Sequence, residues 1–168
     1  KPDDTRDILK HLQQSGADMV EIGIPYSDPV ADGEVIQQSN KIALENGMSI
    51  KKLFAQLKDC RKEFHLPLIL MGYMNPVMQY GFEAFCADAS DAEVDGIILP
   101  DLPPDEFEKN FRHHFIKYGL HFILLVTHET SPERVKYIDA LSSGFIYAVS
   151  SSSTTGGENG MAINENYL

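Results

Sequence analysis

Positive charge is scarce in this chain: 14 Lys and Arg stand against 25 Asp and Glu, a formal net charge of −11. That balance excludes a surface built for nucleic acid or an anionic membrane, but it leaves room for a small anion held by backbone N–H groups. Long apolar runs are missing too. None approaches the ~20 residues that a membrane span needs, and the opening KPDDTRD has no signal-peptide core. The cytoplasm is therefore the expected location. Cysteine is limited to Cys60 and Cys86 with no CxxC spacing, which excludes a redox or zinc motif and predicts two buried or half-buried thiols. Of the six histidines, His113 and His114 are adjacent and cannot share a helix face as paired ligands do, and around His128 the sequence shows no obvious carboxylate or Cys to complete a metal-ligand set. No metal site is expected.

What remains is ample core material. With 43% hydrophobic and 23% charged residues over 168 positions, residues 1–168 read as a single domain. Helical and strand patterns alternate. Ile8, Leu9 and Leu12 predict a helix closed by Gly16, before a strand over Met19–Gly23. Asp32-Gly33 opens a second helix, with Val35, Ile36, Ser39, Ile42 and Ala43 on one side, and Asp32 as its N-cap. Ser49 caps a third, which carries Leu53, Phe54, Leu57 and Cys60. Strands follow at Leu68–Met71, Gly96–Leu99, His121–Val126 and Phe145–Val149, preceded by helices over about Phe82–Ala89, over Pro104–Tyr118 and from Ser131-Pro132-Glu133. Five short strands, apolar throughout and separated by helices, describe a parallel α/β architecture. Its ligand sites belong at the strand C-termini.

The run VEIGIPYSDPVADGEVIQ places Glu21 on a strand and Asp32 eleven positions later, in a Gly/Pro-shaped loop. A carboxylate beside a buried strand is costly to desolvate unless used or paired, and a second one nearby can take the other protonation role. The pattern points to acid/base chemistry. Taken alone, Glu21 also fits a strand-end carboxylate paired with a cation.

EIGIPYSDPVADG, LMGYMNPVMQYG, GIILPDLP and GFIYAVSSSSTTG occur in that order over essentially the whole chain. Together they resemble the tryptophan synthase alpha subunit family. The resemblance implies a (β/α)8 TIM barrel that cleaves indole-3-glycerol phosphate to indole and glyceraldehyde 3-phosphate. By position, Glu21 matches the family's acid/base, and Asp32 the carboxylate that accepts the indole N–H. Tyr73, Leu99, Asp101 and Tyr147 match substrate-pocket positions. Thr155 and Gly156 match a loop that closes over the site, with the threonine meeting Asp32. Pro25, Asp28 and Pro29 match the surface for the beta subunit, which alone carries pyridoxal phosphate. The resemblance implies an alpha2-beta2 assembly and no cofactor in this chain.

The residues by themselves keep plainer readings open. Tyr73 and Tyr147 also suit core or rim aromatics, and Ser150–Gly157 also suits a plain flexible linker. Glu34 stands where the family usually has Pro, adding a negative charge beside Asp32, and His128 replaces a commoner Pro. A whole barrel has eight strands in ~250 residues. The five found here align with the second to the sixth, so the expectation is an incomplete barrel and a segment of a longer chain. Alternatives are another phosphosugar-handling barrel enzyme, or an inactive segment that only docks on the beta subunit.

Overall fold

Residues 68–71, Leu-Ile-Leu-Met, offer no polar side to water, and the sheet is built around them. The structure is a computed structural model and describes residues 4–149. Its strands are β1 (Val20–Gly23), β2 (Leu68–Met71), β3 (Gly96–Ile98), β4 (His121–Phe122), β5 (Leu124–Thr127) and β6 (Ile146–Val149). β1 to β4 form one parallel sheet in chain order, and β5 pairs parallel with β6. The strand expected over His121–Val126 is thus split at Ile123, whose N–H still donates to Ile97 O at 3.0 Å. Its first half pairs with β3 and its second with β6, so the chain turns here from one neighbour to the next along a five-membered arc. This is the α/β parallel sheet of part of a barrel.

Alternate residues point to opposite faces. Val20, Leu68, Leu70, Ile97, Leu99, Phe122, Leu124 and Val126 join the large core beneath the helices. Ile69, Ile98 and Ile123 form a separate cluster on the other face, flanked by Met71, Leu125 and Tyr147. Gly96 lies among these: a Cβ there would come within 2.6 Å of Ile123 Cδ1 and 2.9 Å of Ile69 Cδ1. The absent side chain is what lets the two isoleucines close over the strand.

The helices are α1 (Thr5–Gln14), α2 (Glu34–Glu45), α3 (Ile50–Cys60), α4 (Met74–Tyr80), α5 (Phe82–Asp91), α6 (Pro104–Glu106), α7 (Arg112–Tyr118) and α8 (Pro132–Leu141). Ser49 and Ser131 cap α3 and α8 as expected, accepting from Lys52 N–H and Arg134 N–H. Gly16 and Gly47 end α1 and α2 with φ of +86° and +78°, where a Cβ would be strained. Asp32 is not the cap of α2. Gly33 takes that position in extended geometry, and no side chain bonds to the helix start. Nor does any described element cover the α2 stripe of Val35, Ile36 and Ile42: among the described residues none of α2 is buried, and α3 is the helix that packs beside α1. The seven residues of α4 form a helix that the sequence pattern does not predict.

Between α6 and α7 the chain makes a π-helical turn, Phe107–Phe111, in which Arg112 N–H donates to Phe107 O five residues back. The aromatic core explains it. Phe107 and Phe115 both pack on Phe122, with ring centroids at 4.0 and 5.0 Å. Eight residues of regular α-helix would leave them about 80° out of phase, and a wider turn removes the difference. Cys60 and Cys86 are both buried, as expected of these thiols. Among the described residues no helix is long and apolar enough to cross a membrane.

Candidate active site

Counting along β1 from Val20, whose side chain joins the outer core, puts Glu21 on the opposite face with the isoleucine cluster. The residue is exposed to solvent, and partial desolvation by its surroundings raises the carboxyl above the ordinary 4.5. Tyr147 belongs to the same inner face, packed against the isoleucine cluster. Burial first, and then the charge of Glu21, push its hydroxyl up as well. The two therefore sense one another across the arc from β1 to β6.

Asp32 is half-buried at the end of the loop that follows β1, where its N–H donates to Pro29 O at 3.0 Å. It faces the hydroxyl of Tyr73. Burial, followed by the charge of Asp32 and a hydrogen bond to it, pushes that hydroxyl up to about 12, with Asp101 adding a smaller effect. Asp101 also ties two loops together, since both of its carboxylate oxygens accept the N–H of Met74 at 3.0 Å. The loop after β3 is thereby held to the start of α4. Glu34, first in α2, puts its charge at a helix N-terminus, where the helix dipole favours it.

Two expected positions fall elsewhere. Leu99 is 1% exposed within the outer core and so faces the helices. Its neighbour Ile98 is the one on the face of Glu21. Pro29 is buried under its own loop, so of the expected partner surface Asp28 is exposed, Pro25 is half-buried, and Val30, at 83% exposure, supplies the apolar tip. Thr155 and Gly156 lie outside the described residues.

Tyr26 and Asn75 were missed by sequence reasoning. The Tyr26 ring lies 5.3 Å from that of Tyr73, and its hydroxyl accepts from Asn75 Nδ2 at 3.0 Å. The only signal in the sequence is an aromatic inside the Pro-Tyr-Ser-Asp loop. Among the described residues no group of three or more His, Cys, Asp or Glu could hold a metal ion. Two surface clefts of about 450 and 680 Å3 lie along α1 and beside α2, away from Glu21.

The arrangement is an exposed, partly desolvated carboxyl on the inner face of the arc and a second carboxylate in the adjoining loop. A family model described as tryptophan synthase alpha chain matches residues 1–167. The chain belongs to that family. Among relatives, it is 51% identical to the tryptophan synthase alpha chain of Flavobacterium psychrophilum over 166 residues, covering 98% of this chain and 66% of the relative. It is 54% identical to that of Parabacteroides distasonis over 155 residues, covering 92% of this chain and 60% of the relative. The chain thus spans less than two thirds of the length of these curated relatives. Of solved structures, the alpha subunit from Legionella pneumophila matches with a TM-score of 0.83 and 40% identity, over 88% of this chain and 56% of that one. The tryptophan synthase a2b2 complex from Pyrococcus furiosus matches with a TM-score of 0.83 and 37% identity, over 90% of this chain and 64% of that one. These matches give the sheet its identity as part of the alpha-subunit TIM barrel.

Proposed function

We propose that the protein carrying these residues cleaves indole-3-glycerol phosphate to indole and glyceraldehyde 3-phosphate, as a carbon–carbon lyase in tryptophan biosynthesis. The observation that supports it most is Glu21: a carboxyl raised by desolvation, on the inner face of the arc beside Tyr147. A raised carboxyl holds a proton nearer neutral pH, which suits a group that must deliver it to indole C3 and take one from the glycerol hydroxyl. Asp32 would accept the indole N–H, stabilising the positive charge that develops as the ring is protonated. Tyr73 restrains that carboxylate, and Ile98 and Tyr147 offer the inner face on which an indole ring would lie.

In this reading the chain carries no cofactor of its own. Its partner is the pyridoxal-phosphate-bearing beta subunit, in an alpha2-beta2 assembly, and the exposed Asp28 and Val30 with Pro25 form the contact. The similarity to the Pyrococcus furiosus a2b2 complex supports that choice, and the cytoplasm is the proposed location.

The test is indole release from indole-3-glycerol phosphate, with and without a beta subunit. The parent is expected to release indole, and Glu21→Gln to lose about 10²–10⁴-fold of the rate, the usual worth of positioned acid/base help. Equal rates in parent and variant would remove Glu21 from the chemistry.

A further inference from the structure

The start of α4 holds two loops at once, the one after β1 and the one after β3. Tyr73 faces the carboxylate of Asp32, Met74 N–H is bound by Asp101, and Asn75 donates to the Tyr26 hydroxyl. Asn75 is itself fixed from behind, because Gln79 Nε2 donates to its Oδ1 at 3.2 Å. That bond leaves the Asn75 NH2 group to point at Tyr26. Tyr26 stands in the Asp32 loop, six residues before the carboxylate, and touches the α4 turn twice: by its hydroxyl on Asn75 and by its ring on Tyr73. Apart from the Tyr73–Asp32 contact, Gln37 Nε2 ties Asp32 O to α2 at 2.8 Å and Ile24 N–H donates to Met71 O at 2.7 Å where the loop leaves β1, while the bonds between them are local. Val30 N–H donates to Asp28 O, Asp32 N–H to Pro29 O, and the Ser27 hydroxyl to Asp28. Local turns shape a loop but do not fix its place against the sheet.

We infer that Tyr26 is a positioning residue, which uses its hydroxyl on Asn75 and its ring on Tyr73 to hold the Asp32 carboxylate in place for the reaction. The inference rests on the role proposed above for Asp32. A single neutral hydrogen bond is worth about 1 kcal/mol, and misplacing a group that acts in the transition state lowers kcat more than it raises KM. Tyr26→Phe removes the hydroxyl and keeps the ring, so folding is preserved and the tether alone is cut.

The experiment uses the complete protein, with indole release and amide hydrogen exchange as separate readouts. Tyr26→Phe is expected to lower kcat about 3–10-fold with KM within about twofold, the size of one lost tether. It should also speed exchange over residues 26–33 and leave the strands unchanged. In an Asn75→Ala background the same substitution should cost nothing more, because the two residues form one link. An unchanged kcat, unchanged exchange in the loop, or additive losses in the cycle would each overturn the inference. If the parent releases no indole, the proposed function fails and exchange alone judges the tether: faster exchange in Tyr26→Phe upholds it, and unchanged exchange removes it.

Discussion

Because desolvation raises the Glu21 carboxyl above its ordinary 4.5, the folded chain holds this proton more tightly than the unfolded chain does. Below the unfolded value both states are protonated, and the residue is neutral toward folding. As pH rises through the window between the two values the fold is penalised, and the penalty persists at pH 7. Glu21→Gln removes it. The variant is expected to melt higher than the parent at pH 7, with the gap closing below about pH 4, where both carboxyls are neutral. Thermal unfolding across pH checks this, and a lower melting point at pH 7 would mean that the ionised form is paired after all. At this scale the sequence was legible in placement, putting Glu21 on a strand and Asp32 in the loop after it. It was misleading at Leu99, since the run Gly-Ile-Ile-Leu is apolar throughout and carries no alternation to say which side chain faces in. Only the register from β2, which pairs Met71 with Ile98, places Ile98 on the face of Glu21.

Elements are joined at the opposite, N-terminal edge of the sheet by Arg61. Its side chain is only 11% exposed, and its guanidinium donates to Leu66 O at 2.8 Å, to Glu93 O from two nitrogens and to Asp95 at 2.8 Å. Asp95 also accepts Leu68 N–H at 2.8 Å. One side chain thus links the end of α3, the turn after α5 and the start of β2. Arg61→Ala is expected to cost about 2–3 kcal/mol, since charge-assisted bonds are lost together and several carbonyls are left unpaired. Chemical denaturation measures it; a loss under about 0.5 kcal/mol would mean that water replaces the guanidinium at no cost. Most elements were readable from period and punctuation, the caps Ser49 and Ser131 above all. α4 was not, because Met-Asn-Pro-Val-Met-Gln-Tyr is too short to show a period, and its Pro, with Gly81 just after, reads as a loop. The exposed stripe of α2 has another cause: an amphipathic pattern states that a face is apolar, not that a described element covers it.

The whole chain is strongly acidic, at −11, yet the proposed substrate carries a phosphate. Repulsion at long range should slow its arrival. Raising ionic strength from about 0.01 to 0.15 M shortens the screening length from about 30 to 8 Å, so the association rate is expected to rise with salt, as stopped-flow mixing would report. A fall would show that positive potential at the mouth outweighs the net charge. The order of strands was legible at this scale because each strand–helix unit repeats one short pattern. The split at Ile123 was not, since one apolar run serves two neighbours. Chain length has its own consequence at the π-helical turn. Because that turn absorbs the surplus between Phe107 and Phe115, removing one exposed residue such as Asn110 would leave Phe107, Phe111 and Phe115 at spacings of three and four, those of a regular amphipathic helix. The chain can lose a residue there without shifting what lies on either side, so length variants among natural relatives or selected libraries should collect at Glu108–Asn110 before any other helical position.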